Sequence, residues 1–169
     1  MRASVTVRPA AKGVVLEVVP AAERHIEDII RLWERLAAYH AALDPFFVMC
    51  RGATGTFETH LRQAVEAEDF LVLVCVSEGE VIGYALSSVE QHPPVVECRA
   101  FGHVDDLVVE EHRRRRGAGR MLVSATVEWF EERGIDRVEM EVAEANEPGL
   151  AFWRAVGFTN FQRIMVRRA

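Results

Sequence analysis

The spacing of apolar positions changes several times along the chain, and each change marks an element. Residues 14–19 (VVLEVV) form a short apolar run of strand length. Over residues 22–41 the apolar positions recur every three or four residues. Ile26, Ile29, Ile30, Trp33, Leu36 and Ala37 share one stripe, which predicts an amphipathic helix. Asp44-Pro45 breaks that helix. Thr54 or Thr56 is placed to cap a second helix running to about Ala67, with Phe57, Leu61, Ala64 and Val65 inward. Residues 70–76 (FLVLVCV) are continuously apolar, Ser77-Glu78-Gly79-Glu80 is a turn, and residues 81–89 return, so this stretch reads as an antiparallel hairpin. After a loop around His92-Pro93-Pro94, residues 99–109 predict a third consecutive strand.

Helical spacing resumes over residues 117–133, through Leu122, Ala125, Thr126, Trp129 and Phe130, and Gly134 stops it. Residues 137–143 alternate, with Val138, Met140 and Val142 on one face. Pro148 opens a short helix over residues 150–156, Gly157 ends it, and residues 158–166 predict a final strand. The order β-α-α-β-β-β-α-β-α-β predicts an α/β fold: one mixed, mostly antiparallel sheet of about six to seven strands with helices on both faces. The length suits a single domain over residues 1–169, with 1–13 as a flexible N-terminal extension.

Composition narrows the classes. No apolar run approaches the ~18 residues that cross a bilayer, and residues 1–12 lack a signal-peptide core, so a cytoplasmic protein without membrane partners is expected. Cys50, Cys75 and Cys98 are widely spaced; they suggest neither a disulfide framework nor a zinc site, and no metal is expected. The net charge is −6, although 19 of the 20 basic residues are arginine. An acidic chain argues against nucleic acid as a partner and suits a cationic one. His25, His40, His60, His92 and His112 have no ligand spacing.

The chemistry concentrates in Val109-Glu-Glu-His-Arg113-Arg114-Arg115-Arg116-Gly117-Ala118-Gly119-Arg120, between a strand and a helix. Two glycines one residue apart let the backbone turn sharply and approach a ligand. The helix start presents free N–H groups and a partial positive charge, an anion site suited to a diphosphate. A Walker loop would need Gly-Lys-Ser/Thr, and a dinucleotide fingerprint would need glycine where Leu122 stands. The run with Arg114, Gly117 and Gly119 resembles the Arg/Gln-x-x-Gly-x-Gly/Ala signature of the GNAT N-acetyltransferase superfamily. A second stretch, Asn146-Glu-Pro-Gly-Leu-Ala-Phe152-Trp153-Arg-Ala-Val-Gly157-Phe158, resembles that family's Asn-x-x-Ala-x-x-hydrophobic-Tyr-x-x-x-Gly-Phe, most closely its diamine acetyltransferase branch.

The resemblance implies a GNAT-like fold and transfer of an acetyl group from acetyl-CoA, as co-substrate, to a primary amine of a small molecule or peptide. The alternative it leaves is a non-catalytic acetyl-CoA-binding module. Leu107, Val108 and Val109 would hold the pantetheine arm through their backbone. Arg114, Arg115, Arg116, Gly117, Ala118, Gly119 and Arg120 would meet the diphosphate, and Asn146, Phe152 and Trp153 would line the cofactor channel. Alternation puts His103, Asp105 and Leu107 on one strand face and Asp106 on the other. The resemblance makes Asp105 or His103 the base. Trp153 stands where the family commonly has a tyrosine acid, and an indole N–H gives up no proton near neutral pH. Trp33, Tyr39, Asp44 and Phe46, with His40 and Phe47 beside them, fall where the family builds an acceptor wall. A homodimer is compatible with this reading.

Overall fold

The computed structural model describes residues 6–9, 15–97 and 100–167; the expected strand starts at Val14 and Arg99, and Cys98, lie outside them. In chain order the elements are β1 (Thr6–Pro9), β2 (Val15–Pro20), α1 (Ile26–Leu43), α2 (Ala53–Glu66), β3 (Phe70–Ser77), β4 (Glu80–Gln91), β5 (Ala100–Val109), α3 (Ala118–Glu131), β6 (Val138–Met140) and α4 (Glu147–Ala155). The strands form one sheet in sequence order, antiparallel from β1 through β5 and parallel between β5 and β6.

The unbroken apolar run of β3 follows from covering the sheet on both faces. Val72 and Val74 pack with Ile26, Ile29 and Leu32 of α1 and Phe57, Leu61 and Ala64 of α2. Leu71, Leu73 and Cys75 pack on the other face with Leu122, Trp129 and Phe130 of α3. Cys75 is fully buried there, and desolvation pushes its thiol up to about 11. His25 is also buried, and its Nδ1 accepts the Ala22 N–H at 3.1 Å, a satisfied core histidine.

Five of the strands expected from the sequence form. Thr6–Pro9 adds a sixth at the β2 edge, inside the stretch read as a flexible extension. The expected strand over residues 158–166 does not form. β6 is only three residues long, so it offers that segment little edge to pair with, and Phe161, Ile164, Met165 and Val166 stay exposed. The threonine cap of α2 is also overturned. Gly52, at φ +85°, is the N-cap, while Thr54 inside the helix donates to Glu34 at 3.1 Å.

Candidate active site

β5 and β6 pair at only three positions, Gly102–Val138, His103–Glu139 and Val104–Met140. Beyond Val104 they part, so β5 from Asp105 to Val109 has β4 on one side and no strand on the other among the described residues. Opposite β4 the register slips at the same place. Leu86 pairs with Asp106 and Ser87 with Val104, leaving Asp105 as the extra residue of a β-bulge.

The bulge redistributes the side chains. Gly102 lies against Phe130 of α3, and Val104 packs with Val123 and Trp153, so the intervening His103 faces the side of α1 and α2. Asp105 joins it, with Oδ1 3.0 Å from His103 Nδ1. Asp106 lies on that side too, accepting the Tyr84 hydroxyl at 3.0 Å, whereas Leu107 packs with the α3 cores. The expected face shared by His103, Asp105 and Leu107, with Asp106 opposite, is therefore corrected, because strict alternation fails at an inserted residue.

The hydrogen bond to Asp105 holds the His103 imidazolium above the ordinary 6.5, against desolvation and with help from the charges of Asp105, Glu141 and Glu90. Burial pushes the Asp106 carboxyl up to about 6; the Tyr84 bond opposes this, the Asp105 charge adds to it, and His60 opposes it again.

At the far end of β5 the arginine run divides. Arg113 reaches Glu78 and Glu80 at the β3–β4 turn, 3.5 and 3.3 Å away, and Arg114 Nε donates to the Val109 carbonyl at 3.0 Å. Arg115, at φ +60°, and Arg116 are exposed. Gly117 has φ +101° and open space where a Cβ would stand, so conformation alone demands glycine there. The first intrahelical bond runs from the Met121 N–H to the Gly117 carbonyl, at 3.0 Å, which leaves the amides of Ala118, Gly119 and Arg120 ahead of it. Gly119 serves a second purpose, since a Cβ would lie 3.2 Å from the Phe152 ring. Arg120 donates to the Ala155 carbonyl at 3.2 Å and so ties α3 to the end of α4.

Of the expected channel residues, Asn146 caps α4, its Oδ1 accepting the Gly149 N–H at 3.0 Å. Phe152 packs on the α3 start, and Trp153 is buried at 8% exposure among Val104, Val123 and Phe158. Of the expected acceptor wall, Tyr39 reaches Asn146 at 2.9 Å. Trp33 turns away, stacking on Phe57 at 4.4 Å beside a shallow groove of about 380 Å³ that also contains Glu34 and Cys50. Asp44 accepts the Phe46 N–H at 2.8 Å, and Phe46 is 83% exposed. One contact was not anticipated: Glu110, directly after β5, takes Arg31 and Arg35 of α1. The available signal was Arg31, Arg35 and Tyr39 at i, i+4 and i+8 on the polar side of α1.

No group of three or more metal-ligating side chains occurs among the described residues, and none of their helices is long and apolar enough to cross a membrane. An N-alpha-acetyltransferase of Sulfurisphaera tokodaii is 32% identical over 110 residues, covering 60% of this chain and 62% of that protein, so the chain spans about three fifths of its relative's length. Among solved structures, a tetramutant of a Bacillus halodurans protein matches with a TM-score of 0.82 at 23% identity, over 90% of this chain and 99% of the other. An aminoglycoside N-acetyltransferase in complex with CoA matches with a TM-score of 0.74 at 16% identity, over 94% and 97%. These two likenesses share the fold. The model of the acetyltransferase (GNAT) family matches residues 32–158, through both glycine motifs and the bulged strand between α2 and α3, and the chain belongs to that family.

Proposed function

We propose that this protein transfers an acetyl group from acetyl-CoA to a primary amine of a small molecule or peptide, directly and without an acyl-enzyme. The observation that carries the reading is the unpaired edge of β5 over residues 105–109, which runs from the His103–Asp105 pair toward the Arg114–Arg120 turn. An extended pantetheine arm suits such an edge, adding to it as a strand would. A diphosphate suits the turn, where Gly117 leaves space, the first amides of α3 are free, and Arg115 and Arg116 are exposed.

Bound there, acetyl-CoA supplies an electrophilic thioester carbonyl. Leu107 and Val109 hold the arm through main chain, and the Leu107 amide polarises the carbonyl oxygen, whereas the Val108 backbone faces β4, in the same register as Glu110, whose N–H bonds the Ile82 carbonyl. The His103–Asp105 pair takes the proton released as the amine nitrogen bonds to the acyl carbon and the carbon–sulfur bond breaks. Asp105 orients the ring and strengthens it as a base, the logic of a paired histidine and carboxylate. Trp153 is buried and offers no acid, so water protonates the departing sulfur. Cys50 stands at the α1–α2 groove and Cys75 in the core, both away from this edge.

The acceptor amine meets Tyr39, Asp44 and Phe46 at the end of α1. The relative named for N-alpha acetylation supports a peptide amine, and the aminoglycoside enzyme of like fold supports a small polyamine-like one. A cytoplasmic location and a homodimer belong to the same proposal, to be checked by fractionation and light scattering. The deciding experiment is coenzyme release over a panel of polyamines, aminoglycosides, amino acids and peptides. Thiol release above the hydrolysis rate with at least one amine supports the reading. Tight acetyl-CoA binding with no release for any amine would favour a non-catalytic acetyl-CoA-binding module, the reading to which the buried Trp153 points.

A further inference from the structure

The polar stripe on α1 does more than dissolve the helix surface. Arg31 donates to Glu110 and, at 3.2 Å, to the Val81 carbonyl. Arg35, one turn later, also donates to Glu110 at 3.2 Å. Glu110 is only 11% exposed and is the residue directly after β5, so it anchors α1 to the strand end that leads into the arginine turn. One further turn along, the Tyr39 hydroxyl donates to Asn146 Oδ1 at 2.9 Å. Asn146 follows β6 and caps α4. The same carboxamide oxygen thus uses one lone pair for the Gly149 N–H and the other for Tyr39.

These contacts join α1 to the end of β5 and to the cap of α4. α1 packs on the face of Val72, Val74 and Val108, whereas Phe152 and Trp153 of α4 pack with Val104 and Val123 on the face of α3. Glu110 stands on the β5 side of the gap and Asn146 on the β6 side, at the end where the two strands have parted. We propose that α1 is a strap across the open end of this gap, and that Tyr39 is a positioning residue for acetyl-CoA that acts through Asn146. By tying the cap of α4 to α1, the Tyr39 hydroxyl fixes the width of the gap before the cofactor arrives, and preorganisation of this kind strengthens binding. The inference rests on the proposed use of the gap by acetyl-CoA.

The test is calorimetric binding of acetyl-CoA to the full chain. Tyr39→Phe removes one oxygen from a partly exposed ring and should weaken binding about fivefold, the worth of one neutral hydrogen bond (~1 kcal/mol), with the unfolding temperature lowered by no more than about 4 °C. Asn146→Asp keeps an acceptor for both donors, so removing the Tyr39 hydroxyl in that background should weaken binding by about the same factor as in the native chain. Asn146→Ser keeps a capping oxygen but is too short to reach Tyr39, so it should match Tyr39→Phe, and the two together should be no weaker than either. Affinity within twofold of native in Tyr39→Phe, or tighter, overturns the strap. So does an Asn146→Ser effect that persists undiminished in the Tyr39→Phe background, since Asn146 would then act on the cofactor by itself. Failure of the native chain to bind acetyl-CoA would instead overturn the proposed function, and the strap with it.

Discussion

Asp106 sits one residue beyond the bulge, between the Tyr84 hydroxyl that it accepts and the charge of Asp105. Its carboxyl is pushed from the ordinary 3.8 up to about 6, chiefly by desolvation. A folded-state value above the unfolded one means that the fold binds this proton more tightly than the unfolded chain does. The stability it brings is fully present below pH ~4 and is lost as pH rises through about 6. Each tenfold change in proton affinity is ~1.4 kcal/mol, so the ionised carboxylate costs the fold up to about 3 kcal/mol at neutral pH. That figure is a ceiling, because Asp106 as a residue is only half-buried. Asp106→Asn keeps an oxygen for the Tyr84 hydroxyl and cannot ionise. Urea unfolding of both proteins from pH 4 to pH 8 should show a variant close to native at pH 4 and ~1–3 kcal/mol more stable at pH 7, with the gap opening between about pH 4 and about pH 6 and level above that. A stability difference that is the same at both ends of the range would refute the reasoning.

The diphosphate turn, the missing acid and the base each have a direct test. Gly117→Ala forces a Cβ into φ +101° with nothing to strike, so it should cost about 1–2 kcal/mol of stability and weaken acetyl-CoA binding at least about tenfold by calorimetry. Gly119→Asp should also weaken it, but with a larger fall in stability because its Cβ meets Phe152. Replacing Arg115 and Arg116 together by alanine should weaken binding and flatten its salt dependence without lowering the melting temperature, whereas Arg113→Ala should lower that temperature through the lost Glu78 and Glu80 anchors. Trp153→Phe should keep most of kcat, and Trp153→Tyr should raise it less than about tenfold; a larger gain would show that proton delivery limits the native enzyme. Where His103 takes the proton, the acid limb of kcat/KM should follow a pKa above 6.5, and Asp105→Asn should shift that limb downward while cutting kcat/KM by ~10²–10⁴ with acetyl-CoA affinity intact. Native rates in both Asp105→Asn and His103→Gln at every pH would leave the amine to lose its proton to solvent.

Most of the fold was legible because its signals are local. Period 3.6 in α1 and the double-sided apolar run of β3 are written in adjacent residues, and the core uses them as spaced. The segment over residues 158–166 has strand-like apolar content, but a strand exists only where a partner edge exists, and β6 ends after three residues. The α2 start failed for a related reason. Thr54 is a good capping residue by type, yet its hydroxyl is held by Glu34, twenty residues away, and the left-handed Gly52 ends the loop first.

The candidate site divides along the same line. Gly117 and the arginines could be read directly, since a turn, an open approach and a helix start are all set within ten residues. Which of those arginines stay free could not, because Arg113 and Arg114 are claimed by Glu78, Glu80 and the Val109 carbonyl. The bulge is the decisive gap in any sequence reading. It is a property of how β4 and β5 are offset, and nothing in His103-Val-Asp-Asp-Leu107 announces it. Its effect is chemical as well as geometric. By placing Asp105 and Asp106 on one side, it buries the Asp106 carboxyl, which is the main reason its pKa rises, and adds the field of the Asp105 charge to that. The same displacement aims Asp105 at the His103 ring and raises the proton affinity of that imidazole. One inserted residue thus separates two adjacent aspartates into a buried structural acceptor for Tyr84 and an exposed partner for a base, a division that their identical side chains cannot make alone.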